Sequence, residues 1–173
     1  SKGAARVAML YGRTSTDWGV YPDSDTLMPD YHAALWAKDK LQRYSDDKPF
    51  FLGVGFLRPH VPFYVPQPWF DLYPLKDIQP PPYLADDLVD VPGIAREKVS
   101  YLPMVPSTEW AIKNNEWKKI IQAYLASVSF IDAQIGKVLN ALEASDYADN
   151  TLVILWSDHG FRLGQKGSFA KQA

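Results

Sequence analysis

The 173-residue chain predicts an α/β fold. Thr151-Leu-Val-Ile-Leu-Trp156 is an apolar run without polar alternation, the pattern of a central strand covered on both faces. Phe50-Phe-Leu-Gly-Val-Gly-Phe56 is a second buried-strand run. Each follows a stretch with helical apolar spacing, and helix-then-strand order is the layering of an α/β domain.

Taken in order, Arg6 to Tyr11 reads as a short strand, and Gly12 to Asp30 as a polar loop carrying Trp18 and Asp23-Ser-Asp25. From Asp30 to Tyr44 the residues Tyr31, Ala34, Ala37, Leu41 and Tyr44 recur at helical spacing with charges between them, which predicts an amphipathic helix with Asp30 as its N-cap. Asp46-Asp-Lys-Pro49 ends it, and the 50–56 strand follows. Residues 58–110 differ in kind, because 11 of the 14 prolines lie between Pro59 and Pro106. No apolar period survives there. A long loop inside a compact domain is usually a functional segment or lid. Its aromatics Phe63, Tyr64, Trp69, Phe70 and Tyr73 either stack on a sugar ring or pin the loop to the body by burial. Residues 116–144 form the clearest helix, with a stripe through Ile121, Tyr124, Leu125, Val128, Ile131, Ile135, Val138, Leu139 and Leu142. Residues 145–150 turn the chain into the 151–160 strand and loop.

Composition narrows the function. A chain 47% hydrophobic and 14% aromatic builds a core rather than remaining disordered. The net charge is −2 and the 18 Lys and Arg are scattered, so there is no basic stripe for a nucleic-acid backbone. No apolar run is long enough to span a bilayer. Without cysteine, these residues contain no disulfide, thiolate metal site or cysteine nucleophile. The chain opens at Ser1 without a charged-then-apolar leader and stops at Ala173, soon after its most site-like stretch. The expectation is an internal piece of a longer protein.

That stretch is Ser157-Asp-His-Gly160, where an acid and an imidazole fall just past the carboxyl end of the 151–156 run. Open α/β sheets bind ligands at that edge. The alternative is that Asp158 caps a turn and His159 packs. Three segments together resemble the sulfatase family of the alkaline phosphatase superfamily, and within it iduronate-2-sulfatase and its bacterial relatives. They are Lys48-Pro-Phe-Phe-Leu-Gly-Val-Gly-Phe-Leu-Arg-Pro-His-Val-Pro-Phe63, Tyr124-Leu-Ala-Ser-Val-Ser-Phe-Ile-Asp-Ala-Gln-Ile-Gly-Lys-Val-Leu139, and Ser157-Asp-His-Gly160 continued through Leu163-Gly-Gln-Lys-Gly-Ser-Phe-Ala-Lys171.

The resemblance implies an alkaline-phosphatase-like sandwich with a mostly parallel central sheet flanked by helices, incomplete in this chain. It implies hydrolysis of sulfate monoesters, on a sulfated sugar or small molecule, with a divalent cation, usually Ca2+. Asp158 would supply a carboxylate oxygen to that metal and His159 would be the adjacent metal-site residue, although imidazole is softer than calcium prefers. His60 would contact the sulfate and protonate the departing alcohol, work suited to an imidazole. Its bland alternative is a loop histidine bonded to a carbonyl. Lys171 would reach the sulfate oxygens with its ammonium, the alternative being a solvated lysine. Gly160, Gly164 and Gly167 would let the loop fold tightly enough to return residue 171 to the metal. Arg58 is either a further anion contact or outward-facing.

Departures from the family pattern are equally specific. The family's nucleophile is a formylglycine made from Cys or Ser in a Cys/Ser-x-Pro-x-Arg motif, and no stretch here fits it. No strand ends in the family's paired aspartates, since Asp46-Asp47 follows a helix and Asp86-Asp87 lies in the proline-rich region. Gln165-Lys166 stands where relatives commonly carry an acid and a histidine. The chain alone is therefore expected to be inactive and poorly stable, with aggregation-prone strand edges. Two rival functions are a phosphodiesterase or phosphonate hydrolase of the same superfamily, and a non-catalytic glycan binder using the aromatic loop. Family likeness implies a periplasmic, extracellular or lysosome-like location; oligomeric state is not readable.

Overall fold

The structure, a computed structural model, describes residues 17–46, 48–100 and 106–171. The strand expected over residues 6–11 lies outside that set. A short parallel pair, β1 (Trp18–Val20) and β2 (Phe63–Val65), runs in register Trp18 to Phe63 and Val20 to Val65. Five α-helices accompany it: α1 (Pro29–Arg43), α2 (Gln67–Asp71), α3 (Gly93–Ser100), α4 (Thr108–Lys113) and α5 (Trp117–Glu143). Helices on a parallel pair make the architecture α/β.

Helix α5 is the surface on which the rest is seated. It packs against α1, α2, β1, β2 and α4. Its most buried positions include Ile120, Ala123, Ser127, Phe130 and Gln134. These recur every three or four residues, as one helix face must. The face is rotated from the stripe expected from bulk, and Val128 of that stripe is exposed. Small residues at 123, 126 and 127 are fully buried on this face. Ser127 donates to the Ala123 carbonyl and Gln134 to that of Phe130, so the polar side chains on the buried face are satisfied within the helix.

Trp18, Phe63, Val65, Phe70, Phe130 and Phe169 fill the main core beside α5. Burying each of these side chains stabilises by roughly 1.5–3 kcal/mol. Trp18 also donates its indole N–H to Glu116 at 2.9 Å, and Lys119 meets the other oxygen of that carboxylate at 2.8 Å. A second cluster joins Leu41 of α1 to Ala141 and Leu142 of α5, with Phe50 and Leu52 leaning on it.

Helix α1 corrects the expected cap. Its N-cap is Met28, Pro29 occupies the first turn, and Asp30 is a buried first-turn residue. Pro tolerates that position because its missing N–H would have had no partner there. The Asp30 carboxylate accepts the Leu57 N–H at 2.5 Å.

Both apolar runs are extended, yet neither pairs as a strand among the described residues. In the 50–56 run, Leu52, Val54 and Phe56 are half-buried while Phe51 is 96% exposed, so only one face is seated on the helices. Leu152 and Trp156 are 85% and 77% exposed. The expectation of two covered faces is not met, because among the described residues nothing packs over Phe51, Leu152 or Trp156. Contiguous apolar patches of this kind mark surfaces that something else covers.

The proline-rich region is more ordered than expected. It contains β2, α2, α3 and several turns. Its aromatics are engaged with the body: Phe63 and Phe70 are buried, Trp69 donates to Asp25 and meets Phe130 edge-on, and Tyr73 bonds Ser129. They pin the segment and offer no open sugar platform. Further along, Lys166 reaches both the carboxylate and the carbonyl of Asp87, tying residues 84–91 to the loop after residue 160. No helix among the described residues is long and apolar enough to cross a membrane.

Gly164 has φ +114, and a Cβ there would stand 2.7–2.9 Å from the Trp117 indole, whose N–H donates to the Leu163 carbonyl. Gly164→Ala is expected to destabilise the full-length protein by about 1–3 kcal/mol through strain and overpacking. Gly136→Ala, inside α5 with open space at the Cβ position, is expected to stabilise it by about 0.5–1 kcal/mol. Urea denaturation midpoints of both variants check the pair, and equal shifts would contradict the packing described.

Candidate active site

The extended 151–156 run delivers Asp158 and His159 to an exposed bend. Asp158 caps that bend through its own neighbour, accepting the His159 N–H at 3.0 Å. His159 Nδ1 lies 3.0 Å from the Gly160 carbonyl, which makes Nδ1 the protonated nitrogen of the neutral ring. Its Nε2 then carries a lone pair 3.4 Å from Asp158 Oδ2. Two electron-rich atoms this close are stabilised by a proton or by a cation between them. The exposed pair offers two donor atoms to a cation or to water. Among the described residues no third His, Cys, Asp or Glu joins it within metal-binding reach. A hard cation needs six or more oxygens, so the remaining ligands must come from other groups or water.

Beyond residue 160 the chain doubles back on itself. The Arg162 N–H bonds the Ala170 carbonyl at 2.9 Å and the Gly164 N–H bonds that of Ser168 at 3.1 Å. This ladder sets Lys171 opposite Phe161, two residues past His159. The turn between the two arms needs left-handed backbone at Gly164, Lys166 and Gly167, with φ of 114°, 55° and 75°. Glycine adopts it freely at two of the three positions. At Lys166 the bonds to Asp87 hold a conformation that a long side chain ordinarily avoids. Each arm is anchored below. Phe161 lies between Phe63 and Tyr124, Phe169 is fully buried, Thr108 donates to the Gly164 carbonyl, and Ser107 bridges Ser168. The loop is thus tightly folded, with left-handed glycines at 164 and 167 but not at 160, and its ladder continues to the Arg162–Ala170 pair, one residue short of Lys171.

His60 occupies a different turn. Its backbone N–H bonds the Leu57 carbonyl at 2.9 Å, and its exposed ring places Nδ1 2.7 Å from the Val61 carbonyl. Nδ1 is again the protonated nitrogen of the neutral ring, leaving Nε2 facing outward for exchange with solvent or ligand. His60 does not join Asp158 and His159 in a common metal-binding cluster. Arg58, left between two orientations by sequence, turns inward. Its Nε donates to the Tyr64 carbonyl at 3.1 Å and its Nη1 to that of His60 at 3.0 Å. Burial pushes the guanidinium below its ordinary pKa, and the nearby Asp30 carboxylate offsets part of that. Sequence reasoning missed Asp30 and Lys166 as determinants of the site. Asp30 had been read as a helix cap, and nothing local in the sequence announces a partner as distant as Asp87.

Comparisons with known proteins identify the family. The family model for sulfatases matches residues 8–173. A sulfatase of Formosa agariphila is 62% identical over 163 residues, covering 94% of this chain and 32% of the relative. Iduronate 2-sulfatase of Mus musculus is 40% identical over 133 residues, covering 71% of the chain and 24% of the relative. Iduronate 2-sulfatase of Homo sapiens is 37% identical over 157 residues, covering 83% and 28%. The chain spans about a quarter to a third of the length of these relatives. A family model matching nearly the whole chain, together with a relative 62% identical over 94% of it, leads to one assignment: this chain belongs to the sulfatase family.

Proposed function

We propose that the full-length protein hydrolyses sulfate monoesters, most fittingly those of a sulfated sugar, and that this chain supplies the side of the site that receives the departing alcohol. What supports the reading is the loop ladder, which folds the segment ending in Lys171 back on residues 162–164, just beyond the bend that bears Asp158 and His159. In this proposal Asp158 and His159 contribute to a divalent-cation site, calcium by family likeness. When bound, the cation would neutralise sulfate charge, and a formylglycine from outside these residues would supply the nucleophile.

The remaining chemistry belongs to this chain's side chains. The Lys171 ammonium interacts with sulfate oxygens as negative charge shifts during transfer, a role in which a compact cation is most effective where water is excluded. His60 acts in its imidazolium form. As the sulfur–oxygen bond to the alcohol breaks, the electron pair passes to the alcohol oxygen and the Nε2 proton follows it. The neutral ring left behind keeps Nδ1–H on the Val61 carbonyl, so the ring does not have to reorient between turnovers.

Asp158→Asn in the full-length protein is expected to weaken calcium binding at least about tenfold, read by calorimetry. His60→Ala and Lys171→Ala are expected to lower kcat by about 10²-fold or more with an unchanged circular dichroism spectrum. Unaltered turnover in either alanine variant would remove that residue from the site. Sulfate and phosphate esters of one chromogenic alcohol should be separated by kcat/KM in favour of sulfate. A preference for the phosphate diester would instead make the protein a phosphodiesterase of the same superfamily.

A further inference from the structure

We propose that Asp30 and Arg58, neither of which touches the reacting groups, are positioning residues that set the location of His60. The inference rests on the reading of His60 as a general acid, and it concerns how that imidazole is held. Residue 60 lies on an exposed turn, where side chains ordinarily sample several positions. Its backbone is nevertheless fastened at both ends. The His60 N–H bonds the Leu57 carbonyl at 2.9 Å, and the His60 carbonyl accepts from Arg58 Nη1 at 3.0 Å. Leu57 is fastened in turn, since its N–H donates to Asp30 Oδ1 at 2.5 Å. Arg58 extends the restraint to β2 by donating Nε to the Tyr64 carbonyl at 3.1 Å.

Asp30 is unusual in this setting. It is only 2% exposed, and its second oxygen is buried without a hydrogen-bond partner among the described residues. A buried, half-satisfied carboxylate is costly, and an asparagine, serine or threonine at a helix start would avoid that cost. What the carboxylate adds is charge. The Arg58 guanidinium is close enough for Asp30 to favour its cationic form against burial, although no direct ion pair between them is formed. The anion thus does two things for the turn: it anchors Leu57, and it keeps a half-buried cation where two carbonyls need it. The fork geometry of guanidinium serves this role, because one group reaches the carbonyls of residues 60 and 64 together. Two of the five guanidinium donors are committed to these carbonyls.

Asp30→Asn preserves shape and removes the charge, and Arg58→Lys preserves charge and removes the fork. Both are made in the full-length protein. Amide hydrogen exchange at Leu57 and His60 is read beside that of the Trp117–Glu143 helix. Turnover is read on 4-nitrophenyl sulfate, whose leaving group needs little protonation, and on an alkyl sulfate, whose alcohol needs it. The expected result is exchange about tenfold faster at Leu57 and His60, with the helix unchanged. With it comes a loss of kcat about tenfold or more on the alkyl sulfate and far smaller on the nitrophenyl ester. Unchanged exchange at both amides overturns the proposal, as does an Arg58→Lys variant that raises KM on both esters at constant kcat, which would make Arg58 a substrate contact. If exchange responds but His60→Ala itself shows no dependence on leaving group, the clamp stands and the general-acid reading falls. Should Asp30→Asn fail to fold, Arg58→Lys carries the same measurements.

Discussion

The buried face of the Trp117–Glu143 helix is the constraint from which the rest of the structure follows. Ile120, Ala123 and Phe130 on that face close the main core with Trp18, Phe63 and Phe169. Phe63 belongs to the strand that leaves the His60 turn, and Phe169 to the loop that carries Lys171. Two segments distant in sequence are therefore registered against one helix. Just outside its first turn, Glu116 accepts from Trp18 and Lys119, and Trp117 roofs Gly164. A shift of the helix would move both functional loops together, since each is attached to it by large, close-packed aromatic side chains.

Around that frame the functional groups are held by backbone bonds more than by contacts among themselves. His60 and His159 each direct Nδ1 to the carbonyl of the next residue and so share one tautomer, with Nε2 of His159 turned toward Asp158. Lys171 is positioned by a ladder of main-chain bonds across residues 162–170. Lys166, on the same loop, is bonded to Asp87 and so draws the proline-rich segment against the site instead of facing a ligand. This use of its charge distinguishes the loop from the acid-histidine pair that family resemblance leads one to expect at Gln165-Lys166.

Helices were legible in sequence because their periods are long enough to register. The helix expected from Asp30 spans Pro29–Arg43, and the one expected over 116–144 spans Trp117–Glu143. The three-residue strands and the five-residue helix at Gln67 are too short to show a period, and prolines obscured them further. The runs at 50–56 and 151–156 read as strands covered on both faces. Such a pattern reports the environment a segment is built for, and no described residue supplies the neighbouring strands. The proposed site residues rest on their motifs, in which Asp158-His159-Gly160 and Pro59-His60 stand adjacent in sequence. The roles of Asp30, Arg58 and Lys166 were not legible, because each acts on a group whose location only the fold determines.

The most direct measurement is a crystal structure of the full-length protein with calcium and inorganic sulfate. The account predicts sulfate held by Lys171 Nζ and His60 Nε2, with Asp158 bound to the cation and Arg58 still bonded to the carbonyls of residues 60 and 64. Sulfate bound elsewhere, with Lys171 in solvent and Asp158 only capping its bend, would contradict it.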